Sequence, residues 1–138
     1  MVSADLGIDD SCFEEFTALR MKQAYRFIIF RINDEKTTVQ IEKLGDRHST
    51  FDHFKDLMPK DQARYAVYEF EFTTSDNRKQ SKTFFFFYAP DICDPKTKFI
   101  YAATKDAMNK RLSPISKAVG INDWADLDEE QLLKSFKA

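Results

Sequence analysis

Five consecutive aromatic residues, Phe84-Phe85-Phe86-Phe87-Tyr88, narrow the folds open to this chain more than any other segment. Successive side chains of a strand point to opposite sides, so an aromatic run without alternation reads as a strand shielded from water on both faces and lying near the middle of a sheet. Residues 83–89 fit that description, and a helical layer on each face would supply the cover, which makes the chain α/β. From Ala66 the pattern alternates instead, with Ala66, Tyr68, Phe70 and Phe72 on one side and Glu69 and Glu71 on the other. This predicts a second strand, wet on part of one face. Between the two strands, residues 74–82 form a polar hairpin tip that carries Arg78, Lys79 and Lys82.

The remaining elements follow from shorter signals. Residues 8–21 read as a helix capped by Asp9, with Ile8 and Phe13 at staple spacing and Phe13, Phe16 and Leu19 on one face. Residues 25–32 and 37–44 are rich in aromatic and β-branched residues around Asn33-Asp34, a hairpin ended by Gly45-Asp46. Phe51, Phe54, Leu57 and Met58 have helical spacing in a short segment closed by Pro59. Residues 116–121 suggest an edge strand weakened by Gly120. A final helix begins at Asp128, which has capping-box spacing to Gln131, with Leu127 and Leu132 as staple and Lys134 and Lys137 near the negative end of its dipole.

The longest helix lies between two prolines. Asp94 can cap its start, Pro95 suits the first helical position, and Pro114 blocks continuation beyond Leu112. Ile100, Tyr101, Thr104, Ala107, Met108 and Leu112 share one stripe that should face the core. Phe99 falls outside it, on the side of Asp106 and Lys110, with Lys98, Lys105 and Asn109 on the adjoining strip. An aromatic ring among ammonium groups is a common form for a protein-binding surface; the other reading tucks Phe99 under a neighbouring loop.

Several chemistries lack their parts. The 138 residues should form one domain, 1–138, and 14 Phe against 3 Gly indicate a stiff, aromatic-filled interior. With 21 basic and 23 acidic residues the net charge is -2, which gives no general attraction to nucleic acid. Cys12 and Cys93 lack metal spacing and suit buried free thiols in a reducing compartment. His48 and His53 stand five residues apart, poor spacing for a shared helical metal site, so no metal is expected. No glycine-rich phosphate loop exists, and no apolar run approaches the about 20 residues of a membrane span. The paired carboxylates at Glu14-Glu15 and Asp128-Glu129-Glu130 fall at helix starts, where they favour the dipole. What remains is a cytoplasmic binding module without a cofactor. The alternative from another class is a small enzyme using Cys93 or His48.

Three strings, in this order, resemble the actin-depolymerising factor/cofilin family over nearly the whole length: Arg64-Tyr65-Ala66-Val67-Tyr68, Tyr88-Ala89-Pro90-Asp91, and Lys98-Phe99-Ile100-Tyr101-Ala102-Ala103-Thr104-Lys105-Asp106. The resemblance implies a single actin-depolymerising-factor homology domain, with a central mixed sheet of about five strands flanked by helices on both faces. It also implies binding to monomeric and filamentous actin, with the ADP form preferred, together with filament severing and faster turnover in the actin cytoskeleton, by a monomer. The family's surface for monomers and filaments maps onto Ser3, Ala4, Asp5, Leu6, Lys96, Lys98, Phe99, Lys105, Asp106 and Lys110. Its filament-specific surface maps onto Arg78, Lys79, Lys82, Glu130 and Lys134. Phosphoinositide head groups compete with actin in the family, and Lys96, Lys98, Lys105 and Lys110 are the matching cluster. The runner-up within the fold is a filament side-binder of the coactosin type, which does not sever.

The chain departs from the family pattern at three points. Phe99 stands where Met is usual. The helix end reads Leu112-Ser113-Pro114-Ile115 where the family has Leu-x-Gly-Ile/Val, which removes the glycine suited to a left-handed cap. Ser3 is the candidate phosphorylation site of the arm, but it is followed by Ala4 rather than Gly, and a gapless alignment from Cys12 places Ala4 at the family's serine position.

Overall fold

The computed structural model describes residues 6–137. Its elements run β1 (Gly7–Ile8), α1 (Asp10–Met21), β2 (Tyr25–Ile32), β3 (Thr38–Asp46), α2 (Phe51–Leu57), β4 (Arg64–Thr73), β5 (Lys79–Tyr88), α3 (Pro95–Arg111), β6 (Lys117–Ile121), a 3-10 turn (Trp124–Asp126) and α4 (Glu129–Lys137). The strands make one mixed sheet in the order β1-β3-β2-β4-β5-β6. It has six strands rather than about five, because Gly7 and Ile8, the latter read as the start of the first helix, pair in parallel with Thr38 and Val39. Helix α1 then opens two residues late, with the Asp9 carboxylate accepting from the Ser11 amide.

The aromatic run behaves as the absence of alternation requires. Phe84, Phe86 and Tyr88 enter one buried cluster, with Phe51 and Phe54 of α2 and Leu132 of α4. Phe85 enters the other, with Cys12, Phe16 and Leu19 of α1, Tyr101 and Met108 of α3, and Leu112 at the end of α3. Strand β5 is interior but lies next to the edge strand β6. It runs antiparallel to β4 and parallel to β6, the latter because α3 carries the chain back over the sheet. Edge-on and tilted ring pairs, such as Phe70 with Phe84 at 4.8 Å and Tyr68 with Phe70 at 4.7 Å, fill the α2 side.

Three details correct the pattern-based reading. On α1 it is Cys12, not Phe13, that joins Phe16 and Leu19 in the core; Phe13 is 38% exposed beneath the Arg111 guanidinium. On α3, Ala107 is exposed. Glu69, expected to be wet, is buried, because Arg47 from the turn after β3 pairs with it. Arg26 and Arg47 also reach Glu71, each at 2.8 Å, and donate to backbone carbonyls of Glu69 and Tyr25. Two arginines thus satisfy two carboxylates across β2, β3 and β4, as partly buried charges require.

The chain has few glycines, and its left-handed turn positions fall instead to Gln23, Lys36 and Asn77. Gly45 is needed for a different reason: a Cβ there would enter the Phe27 ring. Beyond β6, the Trp124 indole donates to the Lys55 carbonyl at 3.0 Å and has the Lys55 and Lys60 ammonium groups each 4.4 Å from its ring centroid. This fastens the approach to α4 onto α2. Asp128 accepts from the Glu130 and Gln131 amides, the capping anticipated for that helix.

Two stability predictions follow from this packing. Gly45→Ala should destabilise the fold by roughly 1–3 kcal/mol, the range for overfilling a packed interior, as measured by urea unfolding. Arginine contacts, led by the hydrogen bond from Arg26, hold the Glu71 carboxyl below its ordinary value of 4.5. Its contribution is therefore present above that value and is lost as pH falls through the lower folded-state pKa. Glu71→Gln should lower stability at pH 7 and flatten the acid limb of the stability curve; parallel curves for both proteins between pH 7 and pH 3 would refute this.

Candidate functional site

Helix α3 is fixed from both ends and from beneath. The Asp94 carboxylate accepts from the Thr97 amide at 3.0 Å and Pro95 occupies the first turn. At the other end, Leu112 caps the helix with φ -98°, outside the left-handed region, and its amide donates to the Met108 carbonyl at 3.1 Å. The segment beyond it still rejoins the sheet as β6. On the inner face Tyr101, Thr104, Met108 and Leu112 are buried. The Tyr101 hydroxyl accepts from the Ile32 amide at 2.9 Å, and the Tyr65 hydroxyl donates to the Tyr101 carbonyl. Burial raises both phenol pKa values, which keeps these groups neutral donors and acceptors.

With that stripe pinned, the opposite side of α3 faces outward. Phe99 is 55% exposed. Lys96, Ala102, Asp106 and Lys110 are exposed on the same side. The reading that tucked Phe99 under a loop is thereby excluded. The cations divide into two groups. Lys96 and Lys110 flank the Phe99 face, whereas Lys98 pairs with Asp91 at 3.3 Å and Lys105 lies 5.5 Å from the Phe87 ring centroid. The four lysines of the cluster therefore have unequal freedom.

Other proposed site residues are placed as follows. Ser3, Ala4 and Asp5 lie outside the described residues. Leu6 is half-buried and packs against the α1–α3 side of the core, so its side chain is largely engaged. Arg78 sits at the hairpin tip, paired with Asp76 at 3.1 Å, in a turn held by the Thr74 hydroxyl, which accepts from the Arg78 amide and bonds the Asp76 carboxylate. Lys79 is exposed; Lys82 is half-buried. The pairings Phe70 with Lys82 and Thr73 with Lys79 put these lysines on opposite faces of the hairpin. Lys82 is on the face of α4, where Glu130 and Lys134 are exposed.

The sequence reading also missed an exposed apolar side chain beside α3. Ile92 is 75% exposed in the turn leading to α3, next to the Asp91 that holds Lys98. Between Pro90 and Pro95 there is no periodicity to mark it; an isoleucine in a polar turn was the only signal. The residues of the enzyme reading are kept apart. Cys93 is buried on the α1–α3 side, while His53 is exposed on α2 across the sheet and His48 is exposed beyond β3. Burial pushes the Cys12 thiol up to about 12 and raises that of Cys93. Both are therefore poor nucleophiles. Among the described residues no cluster of three or more His, Cys, Asp or Glu could hold a metal, and no helix is long and apolar enough to cross a membrane.

Comparison with known proteins bears on this geometry. The model of the cofilin/tropomyosin-type actin-binding protein family matches residues 5–137. Actin-depolymerizing factor 8 of Arabidopsis thaliana is 38% identical over 125 residues, 91% of this chain and 89% of that protein. Actin-depolymerizing factor 2 of Zea mays is 34% identical over 125 residues, 91% of this chain and 90% of that protein. The crystal structure of Streptomyces griseoflavus cofilin superposes with a TM-score of 0.87 at 30% identity, over 94% of this chain and 96% of that one. With its sheet, its pinned long helix and its sequence all in agreement, the chain belongs to the cofilin/actin-depolymerising factor family.

Proposed function

We propose that this chain binds actin monomers and filaments, prefers the ADP-bound form, and depolymerises and severs filaments in the cytoplasm, without catalysing a reaction. Membership of the family supports actin as the partner. The observation that carries the site is the Phe99 ring, held outward on a helix whose other face is locked into the core. Phe99 acts as the apolar wedge; Lys96 and Lys110 steer the approach and Asp106 supplies an acceptor. Lys98 contributes through its Asp91 pair, and Lys105 from the flank of the helix. Ser3, Ala4, Asp5 and Leu6 are assigned to the same binding, and phosphate on Ser3, two residues from Asp5 in sequence, would add negative charge and weaken it.

Filament contact is assigned to Arg78, Lys79 and Lys82 of the hairpin with Glu130 and Lys134 of α4. Because α3 and α4 cover opposite faces of the sheet, monomer and filament surfaces can be altered separately. Anionic phosphoinositide head groups would compete at the α3 lysines, chiefly the exposed Lys96 and Lys110.

Phe99→Ala should weaken binding to ADP-actin monomers at least tenfold while leaving the thermal midpoint nearly unchanged, since exposed positions away from structural features shift stability by only about 0.5 kcal/mol. Fluorescence titration with labelled actin measures this, and an unchanged affinity would remove Phe99 from the interface. Arg78→Ala combined with Lys82→Ala should reduce severing of single ADP-actin filaments, seen by time-resolved imaging, more than it reduces monomer binding. Equal losses would show the two surfaces to be wrongly divided. Filaments decorated by the unaltered protein without fragmentation would favour the coactosin-type side-binder.

A further inference from the structure

A glycine in a strand interior weakens it, unless it serves a bend, a close packing contact or the approach of another backbone. Gly45 has such a reason in the Phe27 ring. Gly120 has neither of the usual ones. No glycine of the chain has positive φ, and a Cβ at position 120 would meet no atom within 4 Å. Strand β6 ends the sheet, with no described strand along its outer side. What Gly120 does is keep a space open. By register Ala118 and Gly120 stand beside Phe85 and Phe87 on the α3 face, and between them and the flank of α3 lies a groove of about 220 Å³.

This groove has features of a seat for a chain segment. Its volume exceeds the about 150 Å³ that takes a benzene ring in an apolar cavity, so one apolar side chain fits. Its floor is the Phe87 ring, with the Lys105 ammonium above it. The Asn109 carboxamide oxygen on its wall is buried without a hydrogen-bond partner. Asp106 belongs both to this wall and to the outer side of α3 that carries Phe99 and Lys110. A partner seated on that side therefore continues into the groove.

We propose that an extended segment of actin lies along the outer edge of β6, its backbone passing over Gly120 and one apolar side chain entering the groove against Phe87. The exposed peptide groups of the edge strand then pair with the segment, as in strand addition. Lys105 receives an acidic side chain flanking the apolar one, and a backbone N–H from the segment reaches Asn109 after a small rotation of its carboxamide. The inference rests on the actin-binding reading above and adds a second contact to it.

The open space and ordinary φ at position 120 permit a graded test with Gly120→Ala, Gly120→Val and Gly120→Leu. Affinity for ADP-actin monomers should fall stepwise, reaching at least tenfold for Gly120→Leu, with an unchanged thermal midpoint. In the unaltered protein, amide exchange across residues 117–121 should slow when actin is added; should Gly120→Leu fail to fold, that measurement decides alone. A Leu variant that binds as tightly as the unaltered chain, or exchange at 117–121 indifferent to actin, overturns the proposal. If Phe99→Ala weakens binding while either of those results holds, only the groove is lost; if the unaltered chain has no affinity for actin, the functional reading falls and the groove with it.

Discussion

Exclusion of water from both sides of the aromatic half of β5 is the constraint from which the rest of the molecule follows. Burying a Phe side chain is worth roughly 1.5–3 kcal/mol, and successive rings of the run are buried toward opposite layers. Neither layer can be removed without exposing large rings. The layer over Phe85 includes α3, whose rotation about its axis is set by Tyr101, Thr104, Met108 and Leu112. Once those four point inward, Phe99 has only the outer side left to it. The exposed ring is in this sense an indirect product of the buried ones.

Much of this could be read from residue order, and the failures have a common cause. Both ends of α3 are marked by local chemistry, Asp94 with Pro95 at the start and Pro114 after the stop, and the element was correctly delimited. The interior placement of β5 followed from its lack of alternation. By contrast β1 has two residues, too few to show any period, and exists only because β3 offers it an edge. Glu69 looked wet because charge in an alternating strand ordinarily faces solvent. The arginine that makes its burial tolerable is 22 residues away at position 47, beyond any local pattern. Lys105 over Phe87 and Cys12 in place of Phe13 are likewise decided by neighbours from other elements. The groove beside β6 was the least visible of all, since its character comes from a missing side chain.

The sheet also divides labour. Helices α1 and α3 cover one face, α2 and α4 the other, so the surface around Phe99 and the one around α4 share a rigid partition but few residues. The β4–β5 hairpin ends in exposed pairs such as Thr73 with Lys79. Its turn is stiffened locally by Thr74 and Asp76. Cationic groups at such a tip are presented at a fixed distance from the core rather than on a floppy loop. That arrangement sets both the reach and the direction of those charges.

Trp124 is the chain's one tryptophan, and its ring has two ammonium groups, each 4.4 Å from its centroid, at the junction of α2 with the approach to α4. Indole emission is sensitive to nearby charge and to water, so undocking of the C-terminal helix should change its colour and intensity. The protein thus carries an intrinsic optical gauge on the sheet face opposite Phe99, able to register the docking of α4 with no dye attached.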